Sequence, residues 1–361
     1  MKESGIRMHL ARGMGRAERR RVGSLRHIAM VATALCGLAR AQESAPVFNS
    51  NVRLVHVLAT AKDQSGSLVG SLEKSDFEIR DNGVKQQISV FERQTEQPLS
   101  IAILVDASGS TAKDLKYETD SVTKFVRAVT RSGNPDDAVS LYSFNWRVVQ
   151  EAGFTRDPVR IERQLKQLHG EAGTSLYDAI LLASRDIQNR PGRKVLVVVT
   201  DGGDTISKTS FQRAAEAAQL ADIVIYPVLV VPITNDAGRN TGGENALTTL
   251  AERTGGQVFH PSLGVAMDGA FDGILRDLRT QYFLAFYPKD VPLTTDRYHI
   301  LTVTAGNPAW SVAARSGYYG EAVFGATPPR GNQSQSVNVT PDDETLRPRK
   351  PAAKSTQSGG K

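Results

Sequence analysis

Residues 100–110 read Ser-Ile-Ala-Ile-Leu-Val-Asp-Ala-Ser-Gly-Ser, an apolar run followed by one carboxylate and two hydroxyls at alternate positions. An apolar run of this length predicts a parallel strand that is buried on both faces. Ligands of open α/β sheets bind beyond the carboxyl ends of the strands, which places Asp106, Ser108 and Ser110 at a predicted site. Their hard oxygen atoms suit Mg²⁺, Mn²⁺ or Ca²⁺, and suit neither zinc nor copper.

Two later segments extend this pattern. Residues 173–180 read Gly-Thr-Ser-Leu-Tyr-Asp-Ala-Ile and predict a helix start with Thr174 on the loop before it. Residues 193–204 read Arg-Lys-Val-Leu-Val-Val-Val-Thr-Asp-Gly-Gly-Asp, a second apolar strand that ends at Asp201. Any one of these short patterns is weak evidence for metal binding, but their combination in this order is far more specific.

Taken together, the five side chains resemble the metal-ion-dependent adhesion site of von Willebrand factor A-type (VWFA) domains: Asp106, Ser108, Ser110, Thr174 and Asp201. The resemblance spans about residues 99–287. The flanking segments are similar to those of a bacterial VWFA-related subgroup, known from Acidobacteria, that carries a small β region before this domain.

The resemblance implies an α/β fold with a doubly wound, mostly parallel, Rossmann-like sheet. It also implies a bound Mg²⁺ or Mn²⁺, with Ca²⁺ fitting less well, held by hydroxyls directly and by carboxylates partly through water. In such domains a partner protein completes the site with an Asp or Glu. The expected rim consists of the loops at residues 144–154, 170–173 and 202–208.

Each candidate residue also has an ordinary structural explanation. Ser108 and Ser110 suit a helix cap and Asp201 suits a turn, because Ser and Asp favour both positions. We expect Asp204 to cap a helix that begins near Ser207. The four histidines outside the predicted leader share no motif and are interpreted as surface or packing residues: His56, His169, His260 and His299.

An enzymatic alternative is a secreted metal-dependent hydrolase or phosphatase that uses Asp106. Phosphatases of the haloacid dehalogenase type need a second aspartate two residues later, where this chain has Ser108. The chain also lacks the Gly-x-Ser-x-Gly elbow of α/β-hydrolases. The sequence therefore favours a protein-binding module over an enzyme.

The amino-terminal segment 1–41 predicts a signal peptide. Arginines are frequent in residues 1–26, residues 28–38 form an apolar stretch too short to span a bilayer comfortably, and Ala39-Arg40-Ala41 gives a cleavage pattern. Sec and twin-arginine export both stay open, as does the true start methionine. The expected location is extracytoplasmic, either periplasmic or secreted, with no integral membrane span after cleavage.

Composition excludes two classes of function for the mature chain. The net charge of the whole sequence is +6, but residues 1–41 hold nine basic and two acidic residues, which leaves 35 basic and 36 acidic residues. A nucleic-acid partner is therefore not expected, because binding needs a basic surface. The single cysteine, Cys36, lies in the leader, so disulfides and thiolate chemistry are excluded as well.

Shifts in pattern predict the domain organisation. Hairpin signals, including Asn82-Gly83, indicate a small β module over residues 46–97, and alternating strands and helices indicate the VWFA domain over 98–288. A β extension covers residues 289–320, and residues 325–361 form a polar tail predicted to be disordered.

The same signals predict the elements inside the VWFA domain. Strands are expected at the apolar run 100–105 and at 138–144, 195–200, 223–231 and 257–260, with a last strand at 281–288 that leaves the domain. Helices are expected at 114–130, 158–168, 175–188, 211–220, 244–252 and 265–278.

Overall fold

The computed structural model describes residues 54–93, 96–230, 241–292 and 297–320. The predicted leader at 1–41 and the predicted tail at 325–361 lie outside these residues. Within the described ranges, no helix has the length and the apolar character needed to cross a membrane.

A five-stranded sheet forms the centre of the α/β domain, in the order β7-β6-β5-β8-β9. Its strands are β5 (Leu99–Asp106), β6 (Ala138–Phe144), β7 (Val148–Thr155), β8 (Arg193–Thr200) and β9 (Ile223–Leu229). Strands β6, β5, β8 and β9 are parallel, and β7 is antiparallel to β6. All eight residues of β5 are buried, as the apolar run predicts.

Helices cover both faces of this sheet. They are α1 (Leu115–Ser132), α2 (Pro158–Leu165), α3 (Leu176–Ile187), α4 (Phe211–Leu220), α5 (Thr241–Thr254) and α6 (Val265–Thr280). One apolar core lies between the sheet and α1, α2 and α6, and a second lies between the sheet and α3, α4 and α5. The prediction of a doubly wound, mostly parallel sheet is confirmed.

Two four-stranded sheets form a β-sandwich beside the α/β domain, in the orders β12-β1-β10-β4 and β13-β11-β2-β3. The strands are β1 (Val55–Lys62), β2 (Phe77–Asp81), β3 (Val84–Gln86), β4 (Ile88–Arg93), β10 (Tyr282–Phe286), β11 (Tyr298–Ala305), β12 (Ser311–Ala314) and β13 (Gly317–Tyr319). Asn82 and Gly83 both have positive φ, 47° and 83°, in the two-residue hairpin between β2 and β3.

Segments from both ends of the described chain build this sandwich. Strand β10 hydrogen-bonds to β1 and β4, although it lies within the range 98–288 that the sequence analysis assigns to the VWFA domain. Strand β11 pairs with β2. The sandwich core contains a polar cluster in which the Tyr318 hydroxyl donates to Asp81 Oδ2 at 2.6 Å and His299 Nδ1 lies 2.9 Å from Asp81 Oδ1.

Three local expectations were wrong. Residues 257–260 make a single bridge, Val228 to Phe259, because Gly255 turns the chain and Pro261 lacks an amide to continue a ladder. Most of the rim loop expected at 144–154 belongs instead to strand β7, which tolerates polar residues because it lies at the sheet edge. The helix predicted at 211–220 forms α4, so the helix start near Ser207 that was expected for Asp204 is wrong.

Candidate metal site

Asp106 ends the central strand β5, and its side chain is fully buried. The Ser108 amide donates to Oδ1 at 2.9 Å, and the Thr200 hydroxyl donates to Oδ2 at 2.6 Å. Burial is the main cause that raises the pKa of Asp106 to about 6, and the nearby Asp201 carboxylate raises it further. The two carboxylates that the motif predicts therefore interact across the ends of β5 and β8.

The loop after β5 brings its two serines together. The Oγ atoms of Ser108 and Ser110 lie 3.0 Å apart, with Ser108 buried and Ser110 exposed. The Thr111 hydroxyl donates to the carbonyl oxygens of Asp106 and Ser108, at 2.9 and 3.0 Å, and this folds the loop back on the strand end. Two hydroxyls are thus held on the loop that directly follows the buried carboxylate.

Thr174 lies on a loop between those that follow β5 and β8. On one side, the Glu171 amide donates to the Ala107 carbonyl at 2.9 Å. On the other side, the Thr205 amide donates to the Thr174 carbonyl at 2.9 Å, and the Thr174 amide donates to Thr205 Oγ1 at 2.9 Å. All five predicted residues therefore lie at the carboxyl end of the sheet, Asp106 as the last residue of β5 and the other four on loops.

Asp204 caps a different helix from the one expected. Its Oδ1 atom accepts a hydrogen bond from the Tyr177 amide at 3.2 Å, in the first turn of α3, and its Oδ2 accepts one from the Ser207 amide at 3.2 Å. Asp204 therefore fixes the loop after β8 against the helix that follows Thr174.

Glu118 is a residue near the site that the sequence interpretation missed. It lies in the first turn of α1, is 1% exposed, and its Oε2 atom has no hydrogen-bond partner. Burial raises the pKa of Glu118 to about 8, and the carboxylates of Asp106, Asp201 and Asp114 raise it further. Several carboxylates that repel one another therefore lie near this part of the site.

These residues fit a hard divalent cation. The predicted ligands offer only carboxylate and hydroxyl oxygens, which are the donors that Mg²⁺ and Mn²⁺ take. A cation would also relieve the repulsion between Asp106 and Asp201 that raises the pKa of Asp106. In the described part of the chain, no three His, Cys, Asp or Glu side chains form a group that could hold a metal. The predicted site is compatible with this, because only two of its five ligands, Asp106 and Asp201, are residues of these four types.

The rim of the site is partly apolar. Trp146 is 57% exposed and Ile206 is 47% exposed. Both lie against Gly173, where an added Cβ would stand 2.7 Å from Ile206 Cδ1 and 3.4 Å from Trp146 Cβ. Gly173 has φ of 86°, which favours glycine. The Arg147 guanidinium lies 5.2 Å from the centre of the Trp146 ring, and Trp146 Nε1 donates to the Glu171 carboxylate.

Residues 101–204 match the family model described as von Willebrand factor type A domain. The chain therefore contains a domain of this type over that span, which includes all five predicted ligands. No curated protein matches the chain.

Several solved structures are similar to about half of the chain. The von Willebrand domain of a type V pili tip protein from Porphyromonas gingivalis has 13% identity and a TM-score of 0.43, covering 50% of this chain and 94% of its own. An aerotolerance-related membrane protein from Bacteroides fragilis has 20% identity and a TM-score of 0.39, covering 50% and 98%. The PilB minor pilin from Streptococcus sanguinis has 13% identity and a TM-score of 0.40, covering 52% and 62%.

Proposed function

We propose that this protein is an exported, non-enzymatic binding module that recognises an acidic residue of a partner protein through a bound Mg²⁺ or Mn²⁺. The proposed ligands of the ion are Asp106, Ser108, Ser110, Thr174 and Asp201. The resemblance to the bacterial VWFA-related subgroup forms part of this proposal.

The observation that carries the proposal is the arrangement of these five residues. A buried carboxylate at the end of β5, two hydroxyls 3.0 Å apart, a second carboxylate after β8 and a threonine on the loop between them lie beyond the carboxyl ends of β5 and β8. Helix caps and turns explain one such residue at a time. They do not explain why all five residue types occur on segments that are distant in sequence and adjoin in the fold.

The composition of the site indicates what it would bind. Mg²⁺ takes six oxygen ligands, and neutral hydroxyls leave much of its positive charge uncompensated. An anionic oxygen from a partner would complete the coordination, and a charged group in a partly dry interface can dominate affinity. Trp146 and Ile206 would contact apolar side chains beside that acidic residue, because both are exposed at the rim.

The predicted leader at residues 1–41 supports export, so the partner is expected outside the cytoplasm. The absence of the enzyme motifs noted above supports a binding role over hydrolysis by Asp106.

Calorimetry with Mn²⁺ would test the metal site directly. The purified chain without residues 1–41 should bind one Mn²⁺, and Asp106→Ala should abolish binding while circular dichroism shows an unchanged fold. Asp120→Ala is the matched control, because Asp120 is exposed on α1. Unchanged Mn²⁺ affinity in the Asp106→Ala variant would refute the assignment.

A pull-down from the envelope fraction of the native host would test partner recognition. A specific partner should be recovered with Mg²⁺ present, and should be lost with EDTA and with Asp106→Ala. Equal recovery of that partner in EDTA would show that binding does not depend on the metal.

A further inference from the structure

Glu118 occupies a position where an apolar residue would be expected. It is 1% exposed, and its helix neighbours Leu115 and Val122 belong to the hydrophobic core under the sheet. Burying an ionised carboxylate without a partner costs several kcal/mol. The Oε2 atom nevertheless has no hydrogen-bond partner. This cost is avoided either by a proton, since burial raises the pKa of Glu118 to about 8, or by a cationic group bound beside the carboxylate.

The surroundings of Glu118 indicate the chemistry of that group. The charges that act on it come from the carboxylates of Asp106, Asp201 and Asp114, all of one sign. A cation beside Asp106 and Asp201 would turn this repulsion into attraction. The three carboxyls of Asp106, Asp201 and Glu118 do not form a group that could hold an ion directly. Mg²⁺ keeps several of its waters in protein sites, so contact through water is the natural alternative.

We infer that Glu118 is an outer carboxylate of the proposed metal site, which accepts hydrogen bonds from the water shell of the ion and strengthens cation binding. This inference rests on the proposed function. It assigns a third negative charge to the site, supplied by the first turn of α1 and not by any of the three loops that carry the ligands.

Mn²⁺ calorimetry on four proteins would test the inference: wild type, Glu118→Gln, Asp120→Asn and Asp106→Ala. Outer carboxylates that support metal ligands contribute about 10- to 100-fold in affinity, so Glu118→Gln should raise the Kd by that factor. Asp120→Asn also removes one carboxylate from α1, but an exposed one, and should stay within about twofold of wild type at moderate salt.

The four proteins separate the two ways in which the reasoning can fail. No Mn²⁺ binding by the wild type would refute the proposed function itself. Binding that is lost in Asp106→Ala but unchanged in Glu118→Gln would refute only the role of Glu118.

A second pair of variants removes any effect of packing. Glu118→Asp and Glu118→Asn introduce side chains of nearly equal size, and only the first keeps a carboxylate. The aspartate variant should bind Mn²⁺ more tightly than the asparagine variant, although both leave the same small gap in the core. Equal affinities of the two would overturn the inference, because the charge of the side chain would then have no effect on the ion.

Discussion

Replacing Glu118 with glutamine should change how the stability of the metal-free protein depends on pH. Burial and neighbouring carboxylates raise the pKa of Glu118 from 4.5 to about 8 in the folded protein. Between these values the folded protein holds a proton that the unfolded chain releases. The contribution of Glu118 to the free energy of unfolding is therefore fully present below pH 4.5 and is lost as the pH rises through about 8.

The size of the effect follows from the same values. Asp106, with its pKa raised from 3.8 to about 6, contributes in the same direction but mainly below pH 6. Most of the decrease between pH 6 and pH 8 therefore belongs to Glu118. One pKa unit corresponds to about 1.4 kcal/mol, and over this window the folded protein loses about 2 kcal/mol of unfolding free energy.

Urea unfolding at pH 6, 7 and 8 in the presence of EDTA would measure this decrease. The Glu118→Gln variant should lose most of it, because a glutamine of the same shape does not titrate. Asp120→Asn should behave as the wild type does. Saturating Mn²⁺ at pH 8 should restore stability to the wild type, because a cation favours the ionised carboxylates. A wild-type free energy that is the same at pH 6 and pH 8 would refute the reasoning.

Two further substitutions test single contacts. Asp201→Ala should weaken Mn²⁺ binding less than Asp106→Ala does, because the partly exposed Asp201 can act through water. Complete loss of Mn²⁺ binding in calorimetry of Asp201→Ala would contradict this. Tyr318→Phe removes the 2.6 Å hydrogen bond to the buried Asp81 carboxylate and should cost about 1.5–3 kcal/mol in urea unfolding. Tyr287→Phe is its control because Tyr287 is 54% exposed, and a loss below about 0.5 kcal/mol in Tyr318→Phe would contradict the account.

The central sheet could be predicted from the sequence because its strands are buried on both faces. Strands β5 and β8 are unbroken apolar runs, and such runs have few alternatives when helical patterns separate them. Strand β7 was missed because an edge strand has only one neighbouring strand, which leaves much of it partly exposed. Its burial pattern is mostly intermediate, so its residues are as polar as those of a loop.

Which strands form the sandwich depends on pairing between segments that are distant in sequence. The periodicity of a single segment does not show this pairing. Val57 on β1 pairs with Leu284 on β10, and Ile79 on β2 pairs with Val303 on β11. Each segment reads as a strand by itself. No local signal says which strands share a sheet, so strands could be predicted on both sides of the α/β domain in sequence, but β10 could not be assigned to the sandwich.

The candidate site likewise contains residues that the sequence predicts and one, Glu118, that it does not. The five motif residues follow strand ends or precede a helix, and the geometry of parallel sheets brings such positions together. Glu118 depends instead on the rotation of α1 about its axis. An acidic residue in the first turn of a helix is ordinary, because it complements the helix dipole. Glu118, however, lies three residues after Leu115 and four before Val122, the spacing of the buried face. A charge at a core position of the helix that starts beside a metal motif is the signal that could have identified it.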